Sequence, residues 1–181
     1  MTEHEIKVPV AALEPIRDLL RARGAKLRNP MTLEDNLVLD DGAGTLLTAG
    51  RVLRVRSWGS RWTVTFKGPA NFRDGIKSRP EMETTVEDGP ALLAVLGELG
   101  FSPVCRYQKR REVWHYRGVL VALDETPMGC FVEAEGAAEH LPAVVLDLGL
   151  EAHAGVKGSY LELWDDHRRH HPKAPRDMVF P

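Results

Sequence analysis

The chain lacks the features that mark several protein classes. Two cysteines in 181 residues, Cys105 and Cys130, give neither a disulfide framework nor the paired spacing of a zinc site. Both read as reduced structural thiols, and no neighbour in the sequence would activate Cys105 as a nucleophile. No apolar run reaches the length of a membrane span, and the N-terminus opens on charge rather than on a secretion signal. The expectation is a cytoplasmic protein. Neither sign of charge is in excess: 24 basic and 26 acidic residues leave a net charge of −2. Bulk electrostatics therefore favours neither nucleic acid nor an anionic membrane, and any anion site must come from local placement of basic residues. HExxH and GxSxG are absent. The glycines of residues 68–77 are wrongly spaced for a P-loop, and Pro69 intrudes. No repeat of solenoid period and no low-complexity linker occurs.

What the chain does have is charge on alternate residues. In a strand, residues two apart share a face. Glu3-His4-Glu5-Ile6-Lys7, Leu53-Arg54-Val55-Arg56 and Phe131-Val132-Glu133-Ala134-Glu135 each lay two or three charges on one face and mostly smaller or apolar residues on the other. The pattern returns at Thr63, Thr65 and Lys67, at Glu81 and Glu83, and at Lys109 and Arg111. Asp124 closes the strand before Glu133.

Residues 3–8 predict a strand stopped by Pro9. Leu13, Ile16, Leu19 and Leu20 share one side of a helix over 12–23 that stops at Gly24. A strand over 33–40 ends at Asp40-Asp41-Gly42, and residues 51–57 and 61–67 form a hairpin around Trp58-Gly59-Ser60. Residues 69–78 read as a polar loop, and alternation resumes over 80–87. Asp88-Gly89-Pro90 starts a helix that stops at Gly100. Residues 104–116 and 117–124 form a hairpin turning at Arg117-Gly118. A strand over 130–135, a helix over 138–148 and a last helix from Ser159 complete the pattern. The Pro- and His-rich stretch after Arg169 predicts a loosely held tail, with His167, His170 and His171 solvated. The expectation is one α+β domain over residues 1–170 with a tail at 171–181.

A surface-exposed sheet with cross-strand ion pairs would account for any one of these strands. A barrel accounts for all of them. With the charged faces turned inward, the lumen holds Glu3, Glu5, Lys7, Arg54, Arg56, Lys67, Glu81, Glu83, Lys109, Arg111, Asp124, Glu133 and Glu135. Acids and bases then offset much of each other's burial cost. The acid set Glu3, Glu5, Asp124, Glu133 and Glu135 suits a hard cation such as Mg2+ or Mn2+, and the bases suit a polyphosphate.

Taken in order, these residues resemble a known family. Glu3-x-Glu5-x-Lys7 is similar to the ExExK signature of the CYTH superfamily, the triphosphate tunnel metalloenzymes. Thr65-Phe66-Lys67-Gly68-Pro69, Arg79-Pro80-Glu81-Met82-Glu83, Lys109-Arg110-Arg111, Leu123-Asp124-Glu125, the Glu133–Glu135 strand and Ser159-Tyr160-Leu161-Glu162-Leu163 follow. As a set, over residues 3–165, they resemble the class IV adenylate cyclase branch.

The resemblance implies an antiparallel eight-stranded β-barrel, open as a tunnel, with a charged interior and flanking helices. It implies Glu3, Glu5, Asp124, Glu133 and Glu135 as metal ligands with Mg2+ or Mn2+. Lys7, Arg54, Arg56, Lys67, Lys109, Arg111 and Lys157 would bind the phosphates, with Glu81 and Glu83 positioning the bases. Glu5, Glu133, Glu135, Lys109 and Arg111 would carry the chemistry. The implied reaction is ATP to cyclic AMP and pyrophosphate. The alternative is hydrolysis of tripolyphosphate, thiamine triphosphate or a nucleoside triphosphate, and a non-catalytic polyphosphate or nucleotide binder is a third reading. The partner is then a small triphosphate, not nucleic acid or membrane, and the apolar outer wall of the barrel fits a homodimer.

Overall fold

In the computed structural model, residues 2–151 and 155–181 are described. The strands are β1 (Thr2–Val10), β2 (Lys26–Asp40), β3 (Val52–Trp58), β4 (Arg61–Lys67), β5 (Asn71–Arg73), β6 (Ile76–Val86), β7 (Ser102–Tyr116), β8 (Val119–Thr126) and β9 (Gly129–Glu135). The helices are α1 (Glu14–Ala22), α2 (Thr45–Thr48), α3 (Gly89–Glu98), α4 (Leu141–Asp147) and α5 (Tyr160–His170). The strand order is β1-β9-β8-β7-β2-β3-β4-β6, and β6 pairs back onto β1. Eight antiparallel strands thus close the expected α+β barrel, and β5 is a short flap paired to β6. Closure leaves the eight wall strands no free sheet edge along the seam.

The alternation explains the closure. Ile6 and Val8 of β1, Val121 and Leu123 of β8, and Val132 and Ala134 of β9 point outward. They pack under Leu13, Ile16 and Leu20 of α1 and Leu141, Val144, Val145 and Leu148 of α4. The main apolar core therefore lies outside the barrel, and the lumen is left to charge. The β7–β8 hairpin turns on Arg117 (φ 49°) and Gly118 (φ 78°), the left-handed pair that a two-residue hairpin requires. On the opposite side α3 starts at Asp88, whose carboxylate accepts from Ala91 N at 2.9 Å. Gly89 sits so close to Trp62 that a Cβ would stand 2.1 Å from its ring.

Several expectations need correction. The segment 69–78 is not simply a loop: β5 lies within it and β6 begins at Ile76. Pro80 does not start that strand but sits inside it, its missing N–H tolerated while its carbonyl accepts from Gly68 N at 2.9 Å. Strand β1 likewise runs through Pro9 to Val10, and β2 begins seven residues before the expected start at residue 33. Helix α4 starts at Leu141 rather than 138, and α2 was not anticipated.

The C-terminal tail is held, not loose. Pairing of β7 with β8 stops at Arg110, which leaves an edge of β7 open below it. The tail takes that edge: Met178 N donates to Arg106 O (3.1 Å) and Gln108 N to Met178 O (2.7 Å). Met178 is fully buried beside Tyr107, and Trp164 Nε1 donates to Arg176 O at 3.1 Å.

No helix among the described residues is long and apolar enough to cross a membrane.

Candidate active site

The inward faces of the eight strands enclose a cavity of about 1120 Å3. Acids and bases alternate around it because the register sets them side by side. Glu5 of β1 stands opposite Glu135 of β9, and Lys7 opposite Glu133. Glu3 stands opposite Arg79 and Glu5 opposite Lys77 of β6. Lys67 of β4 faces Glu81, and Thr65 faces Glu83.

Four of these six pairings are in direct contact, and Glu5–Glu135 and Glu3–Arg79 are not. Lys7 Nζ lies 3.1 Å from Glu133 Oε1, and Lys67 Nζ lies 2.9 Å from Glu3 and 2.8 Å from Glu81. Lys77 Nζ lies 2.8 Å from Glu5. Arg54 and Arg56 both reach Glu83, at 3.4 and 2.9 Å. Arg111 grips Asp124 with two nitrogens and also pairs with Glu133. Asp124, fully buried, accepts further from Lys109 (3.1 Å) and from the Tyr160 hydroxyl (2.6 Å).

Of the residues expected from the sequence, Glu3, Glu5, Lys7, Arg54, Arg56, Lys67, Glu81, Glu83, Lys109, Arg111, Glu133 and Glu135 line this one cavity. Asp124 stands behind the lining and acts on it through Lys109 and Arg111. Lys157 is exposed and does not line it. The rest of the lining was missed. Glu34 of β2 is fully buried against Arg56 (3.4 Å) and Lys109 (3.6 Å). Tyr107 accepts from Arg54 Nη1 at 3.1 Å. Lys77 and Arg79 continue the β6 alternation back through Pro80, a signal that was present in the sequence.

The electrostatics divides the acids. Burial alone would raise the Glu34 carboxyl, but Lys109, Arg111, Arg56 and Arg54 outweigh it and lower it to about 2. Glu133 is likewise held well below the carboxylate range, since Arg111, Lys109 and Lys7 overcome its burial. Glu135 moves the other way. Solvent reaches it through the tunnel, yet enclosing protein raises its carboxyl, and Glu3 and Glu133 add to the rise. Glu3 is raised by burial and by Glu81. Tyr160, pushed well above its usual value by burial and by Asp124 and Glu133, stays a proton donor to Asp124. Its ring also lies 4.1 Å from Lys7 Nζ and 4.8 Å from Lys109 Nζ, so α5 braces two lumen cations.

These acids can hold a metal by donor type: carboxylate oxygens that repel one another suit a hard divalent cation. Among the described residues, no three acidic, histidine or cysteine side chains already stand in a ligating cluster. Lysine and arginine contacts hold Glu3, Glu5 and Glu133 apart instead. The lining also includes the apolar side chains Leu47, Val52, Phe72, Leu161 and Trp164, of which Val52, Leu161 and Trp164 belong to one apolar cluster.

Comparison with known proteins agrees with this architecture. A provisionally named adenylate cyclase from Methanocaldococcus jannaschii is 25% identical over 174 residues, covering 90% of this chain and 98% of the relative. A solved structure from Vibrio parahaemolyticus, also provisionally named an adenylate cyclase, superposes with a TM-score of 0.81 at 18% identity, covering 91% of this chain and 98% of that one. The Hippeastrum protein HpAC1, described as a provisional adenylyl cyclase with a dominant triphosphatase activity, gives 0.71 at 19% identity, with 91% and 96% covered. The CYTH domain model matches residues 1–159, so by sequence as well as by its closed, charge-lined barrel the chain belongs to the CYTH domain family.

Proposed function

We propose that the protein is a metal-dependent enzyme acting on a nucleoside triphosphate, converting ATP to cyclic AMP and pyrophosphate. The observation that carries this reading is a cavity whose lining is of two kinds: interleaved acids and bases, and the apolar side chains Leu47, Val52, Phe72, Leu161 and Trp164. Bare tripolyphosphate would leave the apolar lining unused, whereas a base and ribose give it something to cover. The names of the relatives support a triphosphate as the substrate.

Lys7, Arg54, Arg56, Lys67, Lys109 and Arg111 bind the phosphate chain and neutralise charge growing on the departing pyrophosphate. Glu81 and Glu83 hold Lys67, Arg54 and Arg56 in place. The ribose 3′-oxygen forms a bond to the α-phosphorus as the bond from that phosphorus to the β-bridging oxygen breaks. Catalysis here is positioning plus charge compensation. Glu3, Glu5, Glu133 and Glu135 would hold Mg2+ or Mn2+, with Asp124 fixing the bases beside them. When bound, such an ion polarises the phosphoryl group and makes the attacking hydroxyl more acidic. A non-catalytic binder would need the bases but gains little from the acid set.

A second reading is hydrolysis, with water attacking the terminal phosphorus. It is favoured by the dominant triphosphatase activity described for the Hippeastrum protein. The test is to offer ATP, tripolyphosphate and thiamine triphosphate with Mg2+ or Mn2+ and identify the products. Cyclic AMP with pyrophosphate supports the first reading, orthophosphate the second, and binding without product defeats both. Glu133→Gln and Glu135→Gln should abolish turnover, while Lys67→Ala mainly weakens triphosphate binding. Turnover equal to wild type in the Glu variants would sink the metal assignment.

A further inference from the structure

Four residues of β6 face the lumen in succession: Lys77, Arg79, Glu81 and Glu83. Lys77, Glu81 and Glu83 are each in direct contact with an opposite charge. Arg79 is not. Its side chain is 7% exposed and lines the cavity. Among the described residues it makes no hydrogen bond or ion pair, and its Nε is buried without a partner. Glu3, Glu5 and Glu81 attract it from a distance, but their direct contacts are to Lys67 and Lys77. Burial lowers the guanidinium below its usual value, and Arg54 lowers it further against the pull of those acids. Arg54 too keeps a buried Nε without a partner.

A guanidinium does not escape such a position by losing its proton. Even with acids nearby, a buried guanidinium whose hydrogen bonds are unmade is costly, and the cost falls when an anion arrives to accept them. The remaining surroundings of Arg79 are the lumen, so the anion must come from there. A planar fork of N–H donors matches the oxygens of a phosphoryl group, which accept two parallel bonds.

We propose that Arg79 is a direct ligand of the bound polyphosphate, joining the lumen bases already named, and that its guanidinium gains hydrogen-bonded partners only when substrate is present. This rests on the triphosphate reading of the site. It also separates Arg79 from the other cations. Removing Lys67 breaks ion pairs, so both the free protein and its complex suffer. Removing Arg79 relieves the free protein and harms the complex alone.

The test is calorimetric titration of tripolyphosphate into the full chain without divalent metal, beside thermal melts of the free protein. Arg79→Met should bind at least about tenfold more weakly than wild type, the loss expected when a charge-assisted bidentate contact is removed. Its free form should melt no lower than wild type. Arg79→Lys should fall between the two, because a point charge lacks the fork, and it carries the affinity test if Arg79→Met does not fold. Arg73→Met, on exposed β5, should bind as wild type does and so remove net charge as the explanation. Arg79→Met (or Arg79→Lys in its place) binding as tightly as wild type overturns the proposal. So does a lowered melting temperature that accompanies the lost affinity, which would mark Arg79 as structural. If wild type binds no tripolyphosphate, the triphosphate reading itself fails and this proposal falls with it.

Discussion

Two walls of the barrel carry the same alternating charge, and they differ in which of their ion pairs water can reach. On the wall of β7, β8, β9 and β1, Lys7, Lys109, Asp124 and Glu133 are buried. Outside it lies the apolar core built with α1 and α4. On the wall of β3, β4 and β6, Arg54, Lys77 and Arg79 are buried too, but the acid that joins Arg54 to Arg56 is not: the Glu83 side chain is 34% exposed. Outside that wall α3 leaves Val95 and Leu99 mostly exposed, and Met82 of β6 is exposed as well. An ion pair that water can reach is readily exchanged for a phosphate oxygen. One sealed from water is part of the fold. The buried network around Asp124 is therefore scaffold and site at once, and the Glu83 pairs of the second wall are chiefly site.

The largest expected difference lies at Asp124. Asp124→Ala leaves Lys109, Arg111 and Tyr160 without their shared acceptor. Breaking a buried pair from one side typically costs about 3–5 kcal/mol, and chemical denaturation should show a loss of that size. A loss below about 1 kcal/mol, the scale of an exposed pair, would erase the distinction between the walls.

The acid limb of the stability profile comes next. Glu34 belongs to the sealed network, and its carboxyl lies at about 2 in the fold against a usual value near 4.5. A depressed carboxyl contributes stability that is fully present above the unfolded value and is lost as pH falls from there toward the folded one. The window is therefore roughly pH 4.5 down to 2, and the contribution is on the order of 3 kcal/mol. Glu34→Gln should flatten that limb in urea melts taken across the window. An unchanged slope would mean that Glu34 is not held by its four cations.

The tail offers a smaller effect. Met178 is fully buried against Tyr107, whose hydroxyl accepts from Arg54. Met178→Ala should cost about 2 kcal/mol, the low end for a buried methionine, because the cavity lies at the rim. Met178→Leu should restore most of it. Equal stability of wild type and Met178→Ala would return the tail to the loosely held state that its composition suggests.

What was legible in the sequence was the lumen face of strands with unbroken alternation, as in β1, β3 and β9. Where the phase is broken, residues were lost. Pro80 looks like a strand boundary, so Lys77 falls in the loop expected over 69–78 and Arg79 between that loop and the strand expected over 80–87. Strand β2 pairs irregularly around Leu27, Asn29 and Thr32, and that slip hides Glu34. Tyr160 and Met178 act through docking of α5 and of the tail, which depends on an open edge of β7 that no local pattern announces. Asp124 was legible as an acid at a strand end, but its depth behind the lining comes from the three groups that converge on it.

The smallest effect is the sharpest test of the open wall. Glu83 accepts from Arg54, Arg56 and the Thr65 hydroxyl, the last at 2.7 Å. Glu83→Gln keeps the shape and an amide oxygen but removes the charge. Water reaches the site, so the stability change should stay within about 1 kcal/mol. The two arginines lose the partner that aims them at the lumen, so KM for the triphosphate should rise several-fold with kcat little changed, the pattern of lost uniform binding. On the sealed wall stability and substrate affinity should fall together. On the open wall only affinity should fall. A Glu83→Gln variant that melts far below wild type would show that this wall, too, holds the barrel closed.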